Sequence, residues 1–137
     1  MQTPAPGALV HRSFVRVYPG VPAQVRAVRA DLAPLLDGCP VADDVLLCCS
    51  ELAANAVLHS QSGQPGGRFI VRADLRPGCY VRIEVRDLGG PWAVRSAGPE
   101  RCHGLDIVSK LAGDWGADGG PASRAIWARI DWPEPLL

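Results

Sequence analysis

The sequence predicts an α+β fold, a two-layer α/β sandwich in which helices cover one face of a mostly antiparallel sheet. The first supporting observation is the order of strand-like and helix-like patterns, β-α-α-β-β-loop-α-β-β. The second is a hairpin signal, Pro77-Gly78, between two alternating segments. The third is size, because 137 residues, 47% of them hydrophobic and 20% charged, suit one domain with its own core.

The N-terminal part is predicted to hold a leader, a strand and a helix. Residues 1–10 are expected to be a flexible leader and residues 11–137 a single domain. Hydrophobic and polar residues alternate over 11–18, which predicts the first strand. Pro22 is expected to be the first residue of a helix, where its missing N–H costs nothing, and Pro34 is expected to distort or shorten that helix.

A second helix is predicted over about residues 42–60. Two aspartates in its first turn suit the positive end of the helix dipole. Apolar residues cover more than one of its faces, which indicates burial on two sides. Glu51, Asn55 and His59 nevertheless follow one another at one-turn spacing, so a polar stripe runs along an apolar helix.

A hairpin is predicted next, from residues 69–75 and 79–87 on either side of Pro77-Gly78. In its second strand valine and isoleucine alternate with charged residues, which indicates a sheet with one covered face and one wet face. A loop over residues 88–101 follows. A loop of that length inside a compact domain is usually functional or mobile.

The C-terminal part is predicted to add a helix and two strands. The helix begins at His103 and ends at Gly113, a short strand begins at Trp115, and a final strand covers residues 124–132. In the final strand, alternation divides the residues between two faces, with Ala125, Trp127 and Arg129 on one and Ile126, Ala128 and Ile130 on the other.

The charges argue against several classes of protein. Lys+Arg and Asp+Glu are 14 each, so the net charge of zero argues against a nucleic-acid binder and a polybasic membrane anchor. Lys110 is the single lysine and is not part of a G-x-x-x-x-G-K-[ST] motif. A P-loop nucleotide site is therefore nearly excluded.

The location and the cysteines can also be predicted. No apolar run is long enough to cross a membrane and the N-terminus does not have the pattern of a signal peptide, so we expect a cytoplasmic protein. The five cysteines form no C-x-x-C motif, so neither a zinc site nor a redox motif is indicated. We expect reduced, buried cysteines, with Cys102 in the predicted loop as the one candidate for a redox role.

The polar stripe on the second helix is the strongest candidate for chemistry. Burying Glu51 and Asn55 without partners would cost several kcal/mol, roughly 2–7 for the neutral amide and more for the charge. One interpretation is a satisfied set of hydrogen bonds, either of a helix cap or between helices. The other is a metal and phosphate site, because a carboxylate and an amide oxygen one turn apart suit Mg²⁺ that keeps waters and phosphates as its other ligands. Spacing alone does not decide between them.

Two further segments have a structural and a functional interpretation each. Asp87-Leu88-Gly89-Gly90 is either an ordinary strand-ending turn, or a carboxylate that accepts from an exocyclic amine, with glycines that let a flat ring approach. His103-Gly104-Leu105 begins a helix, and its glycine serves either helix entry alone or the approach of a phosphate to free N–H groups.

Together the three segments resemble the motifs of the GHKL (Bergerat-fold) ATPase and kinase superfamily, over about residues 14–132. The stripe from Glu51 to His59 is similar to the N box, residues 87–90 to the G1 box and residues 103–108 to the G2 box. Within the superfamily the chain most resembles the short anti-sigma-factor serine/threonine kinases of actinobacteria, which are ATP-binding regulators.

The resemblance implies a role for each matching residue. Glu51 would act as general base or orient the attacking group, Asn55 would ligate Mg²⁺, and Asp87 would bind the adenine amine of ATP. The loop over 88–103 would be the ATP lid. The nucleotide would also be contacted by Gly89, Gly90, His103, Gly104 and Leu105.

The resemblance also implies partners. Members of this kind transfer the γ-phosphate of ATP to a serine of an anti-anti-sigma (STAS-type) protein and sequester a sigma factor, with no direct contact to nucleic acid. A homodimer is expected on the same ground.

The chain departs from the family pattern at four places, and one is the G1 box, which reads Gly-Gly-Pro and lacks the usual spaced second glycine. Cys102 replaces the first glycine of the G2 box, His103 stands where arginine is common, and Ala125 replaces a threonine whose hydroxyl would bond on the adenine side. Losing that bond would cost about 0.5–1.5 kcal/mol. These departures leave open a non-catalytic protein-binding module or a nucleotide sensor that does not transfer phosphate.

Overall fold

A computed structural model describes residues 10–59, 64–88, 103–120 and 122–133. Within these ranges the chain forms three α-helices and a five-stranded sheet in which every pairing is antiparallel. The predicted α+β fold is confirmed. Nearly all of the predicted leader and of the predicted 88–101 loop lies outside the described residues.

The strands are β1 (Arg12–Pro19), β2 (Arg68–Arg76), β3 (Tyr80–Asp87), β4 (Asp114–Gly120) and β5 (Ser123–Asp131). The helices are α1 (Ala23–Leu32), α2 (Ala42–His59) and α3 (His103–Leu111), and a 3-10 turn, Ala33–Leu36, follows α1. The strand order is β1-β2-β3-β5-β4, so β5 inserts between β3 and β4. No helix among the described residues is long and apolar enough to cross a membrane.

The helices cover one face of the sheet, and the hydrophobic core lies between the two layers. Along β3, Val81, Ile83 and Val85 are each no more than 2% exposed, whereas the charged residues between them are partly exposed on the opposite face. This confirms one covered and one wet face. Fully buried side chains come from both layers, and they include Val28, Leu32, Val45, Leu52, Phe69, Val71, Val108 and Ile130.

The helix α2 is the central element of the helical layer. It contacts α1 and α3, and it lies over the sheet with its main strand contacts on β3. The predicted burial of this helix on two sides is therefore confirmed. Burying a large aliphatic side chain such as Leu52 contributes about 1.5–3 kcal/mol, so α2 is held mainly by packing rather than by helix propensity.

The prolines at the two ends of α1 act differently from each other. Pro34 shortens the helix as predicted, because α1 ends at Leu32 and the chain continues as a 3-10 turn. Pro22 lies one residue earlier than predicted, at the N-cap instead of the first helical position. Its φ of −55° already suits a helix, and its carbonyl accepts from the N–H of Val25 at 3.1 Å.

The β2–β3 hairpin has the predicted tight turn. The N–H of Cys79 donates to the carbonyl of Arg76 at 3.0 Å, with Pro77 and Gly78 between them. Gly78 has φ +78°, the conformation that a type II turn requires at this position and that favours glycine. Cys79 thus closes the turn, and β3 begins one residue later than predicted, at Tyr80.

A polar cluster joins β1 to α1. The hydroxyl of Tyr18 donates to Oδ2 of Asp31 at 2.8 Å, and Nη1 of Arg16 lies 2.7 Å from the same oxygen. The hydrogen bond from Tyr18, followed by that from Arg16, lowers the pKa of Asp31. Tyr18 also stacks on Phe69 with ring centroids 5.5 Å apart, so the cluster adjoins the core.

The described cysteines are free thiols, and three of the four are buried. Burial raises the pKa of Cys49 to about 12 and is the largest cause that raises the pKa of Cys48, to about 11. These thiols stay protonated at neutral pH, as expected of buried cysteines. The expected burial is wrong for Cys79, which is exposed because it sits in the hairpin turn. Cys102 lies outside the described residues.

Candidate functional site

Two polar side chains are buried among the described residues, Asn55 at 8% exposed and Asp87 at 3%. Both belong to the motifs that the sequence singled out. Asn55 is on α2 and Asp87 ends β3, the strand on which α2 mainly packs. A core that is otherwise apolar therefore contains a carboxylate and a carboxamide in its helix and strand layers, and buried polar groups of this kind need partners.

The amide nitrogen of Asn55 has no partner in the part of the chain that the structure describes. This atom, Nδ2, is buried and makes no hydrogen bond with any described residue. An unsatisfied buried donor costs about 1–3 kcal/mol of stability. A buried amide at this position is therefore unfavourable unless another group accepts a hydrogen bond from its Nδ2. The interpretation as a set of hydrogen bonds between helices is not supported for this amide group.

Glu51 lies one turn before Asn55 and is partly exposed. It also lies three residues after the buried Cys48, so it stands at the margin of the buried side of the helix. A negative group at the margin of a buried face can accept a proton from a bound hydroxyl while water still reaches it. Glu51 therefore lies one helical turn from the buried amide and is still reached by solvent.

The alternation of β3 determines the face of the sheet on which the side chain of Asp87 lies. Asp87 follows Val81, Ile83 and Val85 on the covered face, so the strand pattern carries a carboxylate into the layer beneath the helices. Its register partner on β5 is Arg124. An aspartate in such a position can accept hydrogen bonds from a ligand amine with little competition from water.

The β5 register corrects the expectation for Ala125. This residue pairs with Arg86 on one side and Asp118 on the other, in a row of the uncovered face, so its side chain points away from Asp87. A hydroxyl at this position would not reach an inner-face site, and its absence removes no hydrogen bond there. The residue that stands opposite Asp87 is Arg124.

The sequence analysis did not predict that Arg124 lies opposite Asp87. This arginine lines a cavity of about 220 Å³ together with Ala117, Asp118, Gly119 and Gly120 of β4. The signal was present in the sequence, because the alternation that puts Ala125 with Trp127 also puts Arg124 with the inward-facing Ile126.

The third motif begins a helix, as predicted. The helix α3 starts at His103 and includes Gly104 and Leu105 in its first turn, and it packs against α2. The first N–H groups of a helix have no partner within the helix and attract anions. The side chain of Leu105 is half-buried. The predicted contacts of Gly89 and Gly90, and the departure at Cys102, lie outside the described residues.

A divalent cation has a restricted donor set here. Among the described residues, no group of three or more His, Cys, Asp or Glu side chains could hold a metal ion. A carboxamide such as that of Asn55 can ligate through Oδ1 while Nδ2 donates to a phosphate oxygen or a metal-bound water. The residues present therefore fit Mg²⁺ that takes most of its ligands from water and phosphate.

Comparison with known proteins extends over nearly the whole described fold. The model of the histidine kinase-like ATPase domain matches residues 18–128. The match begins in β1, ends in β5, and includes Glu51, Asn55 and Asp87. No curated protein matches the chain.

Proposed function

The chain belongs to the histidine kinase-like ATPase domain family, and from that premise we propose that it is an ATP-dependent protein kinase of the anti-sigma-factor type. It would transfer the γ-phosphate of ATP to a serine of an anti-anti-sigma (STAS-type) protein and sequester a sigma factor. The family shows an ATP-binding domain of the GHKL type. The substrate, the partners and the phosphotransfer are the proposal.

The observation that carries the proposal is the buried amide of Asn55. Its Nδ2 finds no partner in the described chain, although buried amides are normally paired. It lies on the helix that packs on β3, the strand that ends with the second buried polar group, Asp87. A buried amide kept in a core at a cost to stability favours a ligand site over a purely structural role.

The roles follow from the chemistry of the side chains. Asp87 accepts a hydrogen bond from the adenine amine, and the first turn of α3 directs N–H groups at the phosphates. Asn55 would hold Mg²⁺ through its amide oxygen, and the ion when bound neutralises phosphate charge.

Glu51 acts on the acceptor. It takes the proton of the serine hydroxyl as the serine oxygen bonds to the γ-phosphorus. The bond from that phosphorus to the β–γ bridging oxygen breaks, and ADP leaves with the electron pair. Positioning and charge neutralisation supply most of the acceleration in such transfers, so the protein needs no covalent intermediate.

The test is incubation with γ-labelled ATP, Mg²⁺ and a co-encoded STAS-domain protein. Glu51→Gln keeps the shape of the side chain but cannot accept the proton, so we expect transfer to fall by about 10²–10⁴-fold with Mg-ATP affinity retained. Asp43→Asn, an exposed carboxylate on the same helix, serves as the matched control. Transfer by Glu51→Gln at the wild-type rate refutes the assigned role.

The same experiment separates the other two candidates. Mg-ATP binding without any transfer indicates a nucleotide sensor. No binding at millimolar nucleotide in calorimetry indicates a module that holds protein partners without ATP.

A further inference from the structure

A groove lies between α1 and α2. It has a volume of about 460 Å³ and is lined by Pro22, Val25, Arg26, Arg29 and Ser50. Nη1 of Arg29 donates to the hydroxyl of Ser50 at 3.5 Å, a long contact that joins the two walls. The lining contains no acidic residue.

The two arginines of the groove are available for a partner. Arg26 and Arg29 are three residues apart on α1, both are exposed, and neither has a carboxylate within 4.0 Å among the described residues. By contrast, Arg16, Arg76 and Arg129 each have one at 2.7 to 3.1 Å. The groove therefore presents two exposed guanidinium groups that have no carboxylate partner among the described residues.

An apolar strip adjoins the groove on the open side of α2. Leu47, Ala54 and Leu58 follow at seven- and four-residue spacing, and Leu58 is 67% exposed and Leu47 37%. Ser50 lies within one turn of Leu47 and Ala54, so the strip and the groove are continuous. Single exposed leucines are ordinary, but an aligned strip beside unpaired arginines is typical of an interaction surface.

Glu51 lies in the same strip. It is four residues after Leu47 and three before Ala54, so these side chains share one side of the helix. A protein lying along the strip would therefore reach the residue proposed as general base.

We infer that the groove and the strip dock the phosphoacceptor protein, through a helical segment of that protein that carries carboxylates and leucine-like side chains. The carboxylates pair with Arg26 and Arg29, and the apolar side chains cover Leu47 and Leu58. The inference rests on the proposed function for the identity of the occupant. Two arginines fall short of the clusters of about four to eight basic residues that mark anionic membrane sites, so a protein is favoured over a lipid surface.

The test uses a labelled, helical 18-residue peptide with leucines on one side and glutamates along both margins. Its affinity for the full chain is measured by fluorescence anisotropy, beside a copy in which lysine replaces every glutamate. We expect the acidic peptide to bind at least about tenfold more tightly than the basic one. Arg26→Glu with Arg29→Glu should reverse that preference, and Leu58→Ser should weaken both peptides.

A matched control keeps the total charge change equal. Arg68→Glu with Lys110→Glu alters two other exposed cations that have no carboxylate partner among the described residues, and it should leave peptide binding unchanged. Calorimetry with Mg-ATP should give the same affinity for both double variants.

Five outcomes are informative. Reversal by the groove variant alone supports the docking surface. Equal binding of the acidic and basic peptides overturns it, as does an equal effect of the control variant. Tighter binding to phosphatidylserine vesicles than to the acidic peptide, with the same arginine dependence, overturns the protein occupant. If the proposed function fails instead, phosphotransfer is absent while the charge-dependent peptide binding remains.

Discussion

Replacing Asn55 by leucine separates a ligand-binding amide from a structural one. Leucine has a similar size, so the variant removes the unsatisfied Nδ2 without opening a large cavity. Removing an unsatisfied buried donor should raise the free energy of unfolding by about 1–3 kcal/mol, and imperfect packing of the leucine should reduce that gain. We expect the ligand-free variant to gain about 1–2 kcal/mol in free energy of unfolding. For 137 residues that corresponds to a rise of about 3–7 °C in Tm.

In the presence of nucleotide, we expect the leucine variant to gain less stability than the wild type. Mg-ATP at about 100 times its Kd should stabilise the wild type by about 2.7 kcal/mol, and the leucine variant should lose most of this gain. The assay is thermal unfolding followed by circular dichroism, with and without Mg-ATP. Ala54→Leu introduces the same side chain one residue away on the open side of α2, and its response to Mg-ATP should match that of the wild type.

Two results would refute the reasoning. A lower Tm of the ligand-free Asn55→Leu protein would show that the amide stabilises the fold through partners of its own. A full stabilisation of the variant by Mg-ATP would show that Asn55 does not contact the nucleotide or its ion.

Three other predictions follow from the fold. Gly119 has φ +103° and a Cβ there would lie 2.2 Å from the carbonyl oxygen of the first residue of β5, so Gly119→Ala should lower the free energy of unfolding in urea by at least about 1–3 kcal/mol. Gly120→Ala, whose Cβ meets nothing within 4 Å, should be nearly neutral, and equal effects would contradict this. The pKa of Asp31 is lowered in the folded state, so its contribution to stability is present above the ordinary value of 3.8 and is lost as the pH falls below it. Asp31→Asn should therefore destabilise the protein at pH 7 and make little difference near pH 2, and a constant difference in urea midpoint would argue against this. A thiol reagent at pH 8 should label Cys79 rapidly and Cys49 only on unfolding, as peptide mass mapping would show, and equal labelling rates would contradict the burial.

The helices and strands could be predicted because their periodicity reflects which face is buried. The sequence predicts β3 from its alternation and the end of α1 from the proline that follows it. Both features depend only on residues that are close together in the chain. Two boundaries differ from the prediction by one residue, because Pro22 is the N-cap of α1 and Cys79 belongs to the hairpin turn.

The candidate site could be predicted only in part. Asn55 and Asp87 stood out because polar residues break an apolar pattern, and both are indeed buried. The alternation of β5 predicts that Arg124 shares a face with Ile126, but its pairing with Asp87 is a long-range register that no local pattern gives. The expectation for Ala125 was wrong because it followed the family pattern, although the alternation already put Ala125 on the face opposite Ile126.

The place of β5 between β3 and β4 has a consequence for local unfolding. The chain reaches β4 before β5, yet only β5 bonds to the N-terminal strands, so one seam of backbone hydrogen bonds joins β4 and β5 to the rest of the sheet. Asp87 and Arg124 form the last register pair of that seam. If Asp87 holds the nucleotide as proposed, the nucleotide should bind only when β3 and β5 are paired at this end, so by mass action their separation should become rarer as its concentration rises. Hydrogen exchange along β5 would then report on the occupancy of a site that β5 borders.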